Sequence, residues 1–274
     1  MQQSINVTSG QANLSVDVAG SGPLVVFLHA NVCDKRMWGR QMSALRENYK
    51  TVAFDRRGFG QSNYVAEPHS PMADLFAVMD AVDKNQSAVL VACSAGGKIA
   101  IDAAIEHPAR IKALVLISPS VSGAPVPEYA SSIMHLLDDQ AAATRERKLD
   151  RLNAIKAHLW LDGPLANEGR VTGQVRELFL KMNGEALAAP FPGDSIDTTL
   201  MYGRLSEIKV PVLLVWGSLD FQHIQFRTKA MIGMVKSGSG LEMAGSAHLP
   251  SLEHPSDFNK LLIEFLANIF PLPS

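Results

Sequence analysis

Residues 91–97 read VACSAGG, a single serine, Ser94, with nothing larger than Ala, Cys or Gly for two residues before it and three after. An ordinary turn serine needs no such company. A serine on a tight strand-to-helix corner does, because the backbone of neighbouring elements comes within contact distance there. The flanks agree. AVLVA (88–92) is a short apolar run of the kind that forms a strand covered on both faces, and Ala95 to Glu106 is Ala- and Ile-rich until His107-Pro108 stops it. Ala92 stands where the G-x-S-x-G pattern has its first Gly, adding one methyl group.

Outward from that corner the chain repeats the same alternation. LVVFLHA (24–30), TVAF (51–54), ALVLIS (113–118) and VPVLLVWG (210–217) read as strands, and PMADLFAVMDAVD (71–83) reads as a helix with Pro71 at a harmless early position. Leu14, Val16 and Val18 line one strand face, and Trp38, Met42 and Leu45 recur at helical spacing. After 217 come a helix near 222–235, a strand GLEMA (240–244) and a C-terminal helix from Ser256. Such alternation predicts a mostly parallel sheet with helices on both faces. Between Ser122 and Arg204 the rhythm stops: 128–140, 145–161 and 173–188 are helical and no strand-like run occurs. The expected organisation is a core of 1–121 and 205–274 with a helical cap inserted at 122–204.

Small-x-Ser-x-small also fits Ser120 and Ser122, but GAPVP follows them and cannot start a helix promptly. Ser94 alone stands between a strand and a helix. There its hydroxyl projects over the sheet's C-terminal edge, beside helix N–H groups that lack intrahelical acceptors. A serine nucleophile needs a base, and the base an orienting acid. Most of the eight histidines have plainer readings, at element ends (His107, His254, His223), in the insertion (His135, His158) or in a polar loop (His69). His248 lies on a long loop between the last strand and last helix, and Asp220 a few residues past the strand ending near Trp216. ISPSVSG, the other common place for the acid, holds no carboxylate. The order Ser94, Asp220, His248 is that of hydrolases with a serine at a strand–helix elbow.

With DRRGFGQS (55–62), VACSAGG, VPVLLVWGSLD (210–220) and AGSAHLPSLEHPSDF (244–258) in order, the sequence resembles the α/β-hydrolase superfamily over nearly all of the chain outside the insertion. HANVCDKRMWGRQ and LWLDGP point to its capped esterase and 3-oxoadipate enol-lactonase-like branch. The resemblance implies an α/β-hydrolase fold: a mostly parallel sheet of the eight-stranded type, flanked by helices, with the cap inserted. It implies attack by Ser94 on a carboxylic ester or lactone, His248 as base, Asp220 as orienting acid, and backbone N–H groups of Asn31 and Ala95 as the oxyanion hole. Rival readings use the same triad, as a carbon–carbon bond hydrolase or a cofactor-free perhydrolase; a small-molecule receptor with a slow triad is the rival from another class. Dehalogenase and epoxide-hydrolase chemistry would need an aspartate at 94. The family usually has His-Gly where this chain has His29-Ala30-Asn31, which restricts the oxyanion loop and brings the Asn31 amide toward the pocket.

Trp160 and Met134 join Asn31 as substrate-pocket candidates; with Phe179 and Phe191 they read either as pocket lining or, more commonly for such stripes, as the cap's own core. Arg145, Arg147 and Arg204 are read as carboxylate binders or as solvated charges. Cys33 and Cys93 read as small buried residues. With 25 basic and 27 acidic residues and no run of like charge, nothing favours nucleic acid or a membrane surface. No metal or organic cofactor is implied, and DRRGFGQS lacks the spacing of a nucleotide loop. MQQSINVTSG lacks the plan of a signal peptide, no apolar run is long enough to span a bilayer, and a soluble cytoplasmic protein is expected. The oligomeric state stays open.

Overall fold

The computed structural model describes residues 2–84 and 86–271. Eight strands form one sheet: β1 (Gln2–Ser9), β2 (Ala12–Ala19), β3 (Leu24–Leu28), β4 (Lys50–Phe54), β5 (Ala88–Cys93), β6 (Ile111–Ile117), β7 (Val212–Gly217) and β8 (Gly238–Met243). Their order is β1-β2-β4-β3-β5-β6-β7-β8. β1 and β2 pair antiparallel, as do β2 and β4; every other neighbouring pair is parallel. The central strands β3 and β5 are buried at every residue, as continuous apolar runs require when both faces are covered.

The helices are α1 (Gly39–Leu45), α2 (Pro71–Asp83), α3 (Ala95–Glu106), α4 (Met134–Arg145), α5 (Leu149–Ala157), α6 (Gly173–Ala188), α7 (Gln222–Met234), α8 (Pro250–Glu253) and α9 (Pro255–Ile269). Alternation along each strand decides which helix meets which face. Val26, Leu28, Leu90, Ala92, Leu114 and Leu116 pack with Leu75 of α2, Ile99 and Ala103 of α3 and Met231 of α7. Val25, Phe27, Val89, Val91 and Val115 face the other way, toward Met42 of α1 and Phe258, Leu262 and Leu266 of α9. Each Val, Leu, Ile, Phe or Met side chain among them contributes about 1.5–3 kcal/mol on burial.

None of the eight strands falls between Ile117 and Val212; α4, α5 and α6 occupy that stretch. Ile133, Leu136, Leu152, Ile155 and Leu159 form a small separate cluster that closes on Phe221 and Ile224 at the start of α7. A π-helical turn, His158–Asp162, ends α5. Asp162, fully buried, accepts from the N–H groups of Gly169 and Val171 and pairs with Arg176 at 2.8 Å. The sequence reading differs in two places. Its helix over 128–140 begins only at Met134, after a 3₁₀ turn at Ser131–Ile133, because the prolines of GAPVP hold the chain extended and Ala130 offers no side-chain cap. β1 was not expected at all: QQSINVTS is mostly exposed and polar, and it becomes a strand by pairing with β2.

Candidate active site

Ser94 follows β5 directly and has φ 52° and ψ −115°, a conformation that non-glycine residues rarely adopt. Holding it costs about 1–3 kcal/mol and needs a frame on all sides. The Ser94 N–H donates to Ile117 O at 2.9 Å, and its carbonyl accepts from Gly97 N–H at 2.8 Å and Ser120 N–H at 2.9 Å. The small neighbours have a measurable reason. A Cβ on Gly96 would lie 2.5 Å from Leu28 O, and one on Gly97 would lie 2.7 Å from Pro119 Cβ. The Ala92 methyl lies fully buried in the core on the sheet face that packs against α2 and α3. Ser94 and Ala95 themselves are half-buried.

Asp220 and His248 meet beyond the ends of β7 and β8. The His248 Nδ1–H donates to Asp220 Oδ2 at 2.8 Å, and both side chains are buried. Asp220 Oδ2 also accepts from the Ser118 hydroxyl at 2.8 Å, while Oδ1 accepts from Phe221 N–H at 2.8 Å. Three donors on one carboxylate fix its orientation. The two loops are laced together by Leu219 N–H to Ser246 O at 2.9 Å, and Gly217 permits close approach: a Cβ there would lie 2.0 Å from Ala247 O. His248 Nε2 is buried and has no hydrogen-bond partner. No hydrogen bond joins it to the Ser94 hydroxyl, a looseness common before substrate binds. The Trp160 ring lies 4.6 Å from the His248 ring and 4.8 Å from Phe221, roofing the imidazole.

The loop after β3 carries the remaining candidates. β3 and β5 are parallel neighbours with Leu28 opposite Ala92, so Asn31 and Ala95 stand beyond adjacent strand ends. Ala95 is the first residue of α3 and its N–H has no acceptor a turn earlier. The Ala30 departure is accommodated without a left-handed backbone: the non-glycine residues with positive φ are Ser94, Ser118 and Arg147. His29 is fully buried; its Nδ1–H donates to Ala30 O at 2.8 Å and its Nε2 accepts from Arg56 N–H at 3.1 Å. Burial, then the Arg56 charge, holds its pKa well below the ordinary value, so it is a neutral brace. Cys33 and Cys93 are free and buried, and burial pushes both thiols up, away from thiolate chemistry.

Other candidates lie elsewhere. Met134 is 43% exposed at the start of α4, Phe191 is exposed, and Phe179 is fully buried beneath α6. Arg204 pairs with Glu106 and Glu207, and Arg145 and Arg147 are exposed at the end of α4. Sequence reasoning missed Ser118, which fills the strand end where a carboxylate was sought, and it missed where Arg56 goes. Searching ISPSVSG for hydroxyls as well as acids would have found the first. Among the described residues no group of three or more metal-ligating side chains occurs, and no helix is long and apolar enough to cross a membrane.

Residues 25–261 match the family described as the alpha/beta hydrolase family. The pimeloyl-[acyl-carrier protein] methyl ester esterase of Shewanella oneidensis is 26% identical over 267 residues, spanning 94% of this chain and 97% of that protein. An esterase from Thermogutta terrifontis superposes with a TM-score of 0.75 at 20% identity, over 97% of this chain and 99% of that one. The enol-lactonase of Burkholderia xenovorans LB400 superposes equally well, TM-score 0.75 at 19% identity, over 96% and 100%. These likenesses share one architecture, and the family match runs from β3 into α9, across sheet, insertion and both loops of the site. The chain belongs to the alpha/beta hydrolase family and has that family's fold.

Proposed function

We propose that this hydrolase cleaves a carboxylic ester or lactone through an acyl-enzyme on Ser94. The observation that carries the reading is the buried 2.8 Å bond from His248 to Asp220, on the rim where Ser94 stands in its strained turn. Asp220 accepts a hydrogen bond from Nδ1–H and keeps the proton on that nitrogen, which leaves the Nε2 lone pair free to act as base. His248 takes the Ser94 proton as Oγ attacks the acyl carbon. The N–H groups of Asn31 and Ala95 receive the developing oxyanion, and each such donor contributes about 3–4 kcal/mol in comparable enzymes. His248 then returns its proton to the leaving alcohol, and a water it activates releases the acid. The methyl ester esterases and the esterase and lactonase architectures among the similar proteins support ester over carbon–carbon cleavage.

Turnover tests it. Short p-nitrophenyl esters and small lactones should be hydrolysed catalytically by the wild type. Ser94→Ala and Asp220→Asn should each lose roughly 10⁴-fold in kcat with unchanged thermal unfolding. Stoichiometric modification without turnover would instead favour the receptor reading.

A further inference from the structure

Two adjacent arginines in DRRG have opposite surroundings. Arg57 is saturated: Asp74 accepts from it at 2.9 and 3.1 Å, Glu67 at 2.6 Å, and Ser9 O at 2.7 Å. Arg56 is half-buried and forms no ion pair with any carboxylate among the described residues. Its Nη2 donates to the Asn31 side-chain oxygen at 2.8 Å and to His29 O at 3.2 Å. Its Nε is buried without a partner, its Nη1 makes no hydrogen bond, and its guanidinium lies 4.7 Å over the Phe59 ring. Burial lowers its pKa to about 10, so it remains a cation at neutral pH.

A cation withdrawn from water without a counter-ion is costly, and proteins normally pair it. Of the other part-buried arginines, Arg170 pairs with Glu253 and Arg176 with Asp162, whereas Arg227, like Arg56, has no ion pair among the described residues and donates to Pro119 O at 2.9 Å. Position sets Arg56 apart. It lies two residues past β4, beside β3, with its head group on the side chain of Asn31, whose N–H is the proposed oxyanion donor. An anion supplied by the substrate would complete it: Nη1 makes no hydrogen bond and can donate to a carboxylate oxygen, a charge-assisted bond stronger than a neutral one.

We propose that Arg56, with the Asn31 amide beside it, is a carboxylate subsite, and that the preferred substrate is the half-ester of a short dicarboxylic acid or a lactone bearing a carboxylate. This rests on the serine-hydrolase reading for the reaction, and it names the acyl part. The free carboxylate docks on Arg56 while the ester carbonyl lies between Ser94 and the Asn31 and Ala95 N–H groups. No bond changes at Arg56, which acts on specificity alone.

Monomethyl glutarate and dimethyl glutarate share an acyl chain and differ in one charge. Wild type should favour the half-ester by roughly tenfold or more in kcat/KM, chiefly through KM. Arg56→Gln should remove that preference while dimethyl glutarate changes less than about threefold, and Arg56→Lys should keep part of it. Equal rates for the two esters in wild type would overturn the proposal. So would an equal loss for both esters in Arg56→Gln, which would make Arg56 only a brace for the oxyanion loop. p-Nitrophenyl acetate separates the two readings: if it too is inert, the hydrolase reading fails. The subsite is then read by calorimetry with glutarate dianion. Binding by wild type that weakens at least tenfold in Arg56→Gln supports it, and absent or equal binding overturns it.

Discussion

At the scale of single residues, the site depends on which groups are charged and which are kept neutral. Asp220 is braced by Ser118 and Phe221, so its charge faces the His248 Nδ1 proton in one orientation. His29 is the opposite case, neutral by burial and by its role as acceptor for Arg56 N–H. Its folded pKa lies below the ordinary 6.5, so the unfolded chain takes up a proton on acidification that the folded chain refuses. The stability this group contributes is complete above pH 6.5 and is lost as pH falls below it, at up to about 1.4 kcal/mol per pH unit. Urea midpoints from about pH 7.5 to about pH 5.5 should fall more steeply for wild type than for His29→Gln. Identical slopes would show that His29 protonates freely in the fold. Asp220 and His248 are legible in the sequence because each is a lone candidate just past a strand. Ser118 is not, because a serine at a strand end has many plainer uses.

Among the elements, sequence reading succeeds where packing and local signals agree. α2 starts at Pro71 behind Ser70, whose hydroxyl accepts from Ala73 N–H, and α6 spans Gly173–Ala188; both lie where their periodicity puts them. β1 is illegible because its partner, not its own composition, makes it a strand. The corner between β5 and α3 is the most constrained join. Gly96→Ala drives a methyl against the Leu28 carbonyl, backbone that cannot swing aside. Unfolding in urea should show a loss of about 1–3 kcal/mol, with activity falling further as α3 is pushed off β3. Wild-type stability in Gly96→Ala would mean the corner has slack, against the reason given for its small residues.

Across the whole molecule, the sheet brings residues from the ends of β3, β5, β7 and β8 to one rim, and Trp160 of the His158–Asp162 turn lies against His248 there. Arg170 ties the two together: it donates to Asp162 O at 2.6 Å and Leu161 O at 2.7 Å within the insertion. It also reaches Gly245 O at 2.8 Å, on the loop that carries His248, and pairs with Glu253 at the end of α8. Glu253 in turn accepts from Ala247 N–H at 2.9 Å, one residue before the imidazole. The absence of strands between β6 and β7 is legible because a stretch without strand-like runs shows in the sequence pattern. Which of its side chains turn toward the site is not, because helical apolar stripes look alike whether they face a core, as Phe179 does, or a histidine, as Trp160 does. On the proposed function, this architecture activates one serine. Wild type and Ser94→Ala should be treated with a fluorophosphonate and their intact masses recorded. A single adduct on the wild type and none on Ser94→Ala is the predicted result; an unmodified wild type, or an adduct on both, would contradict it.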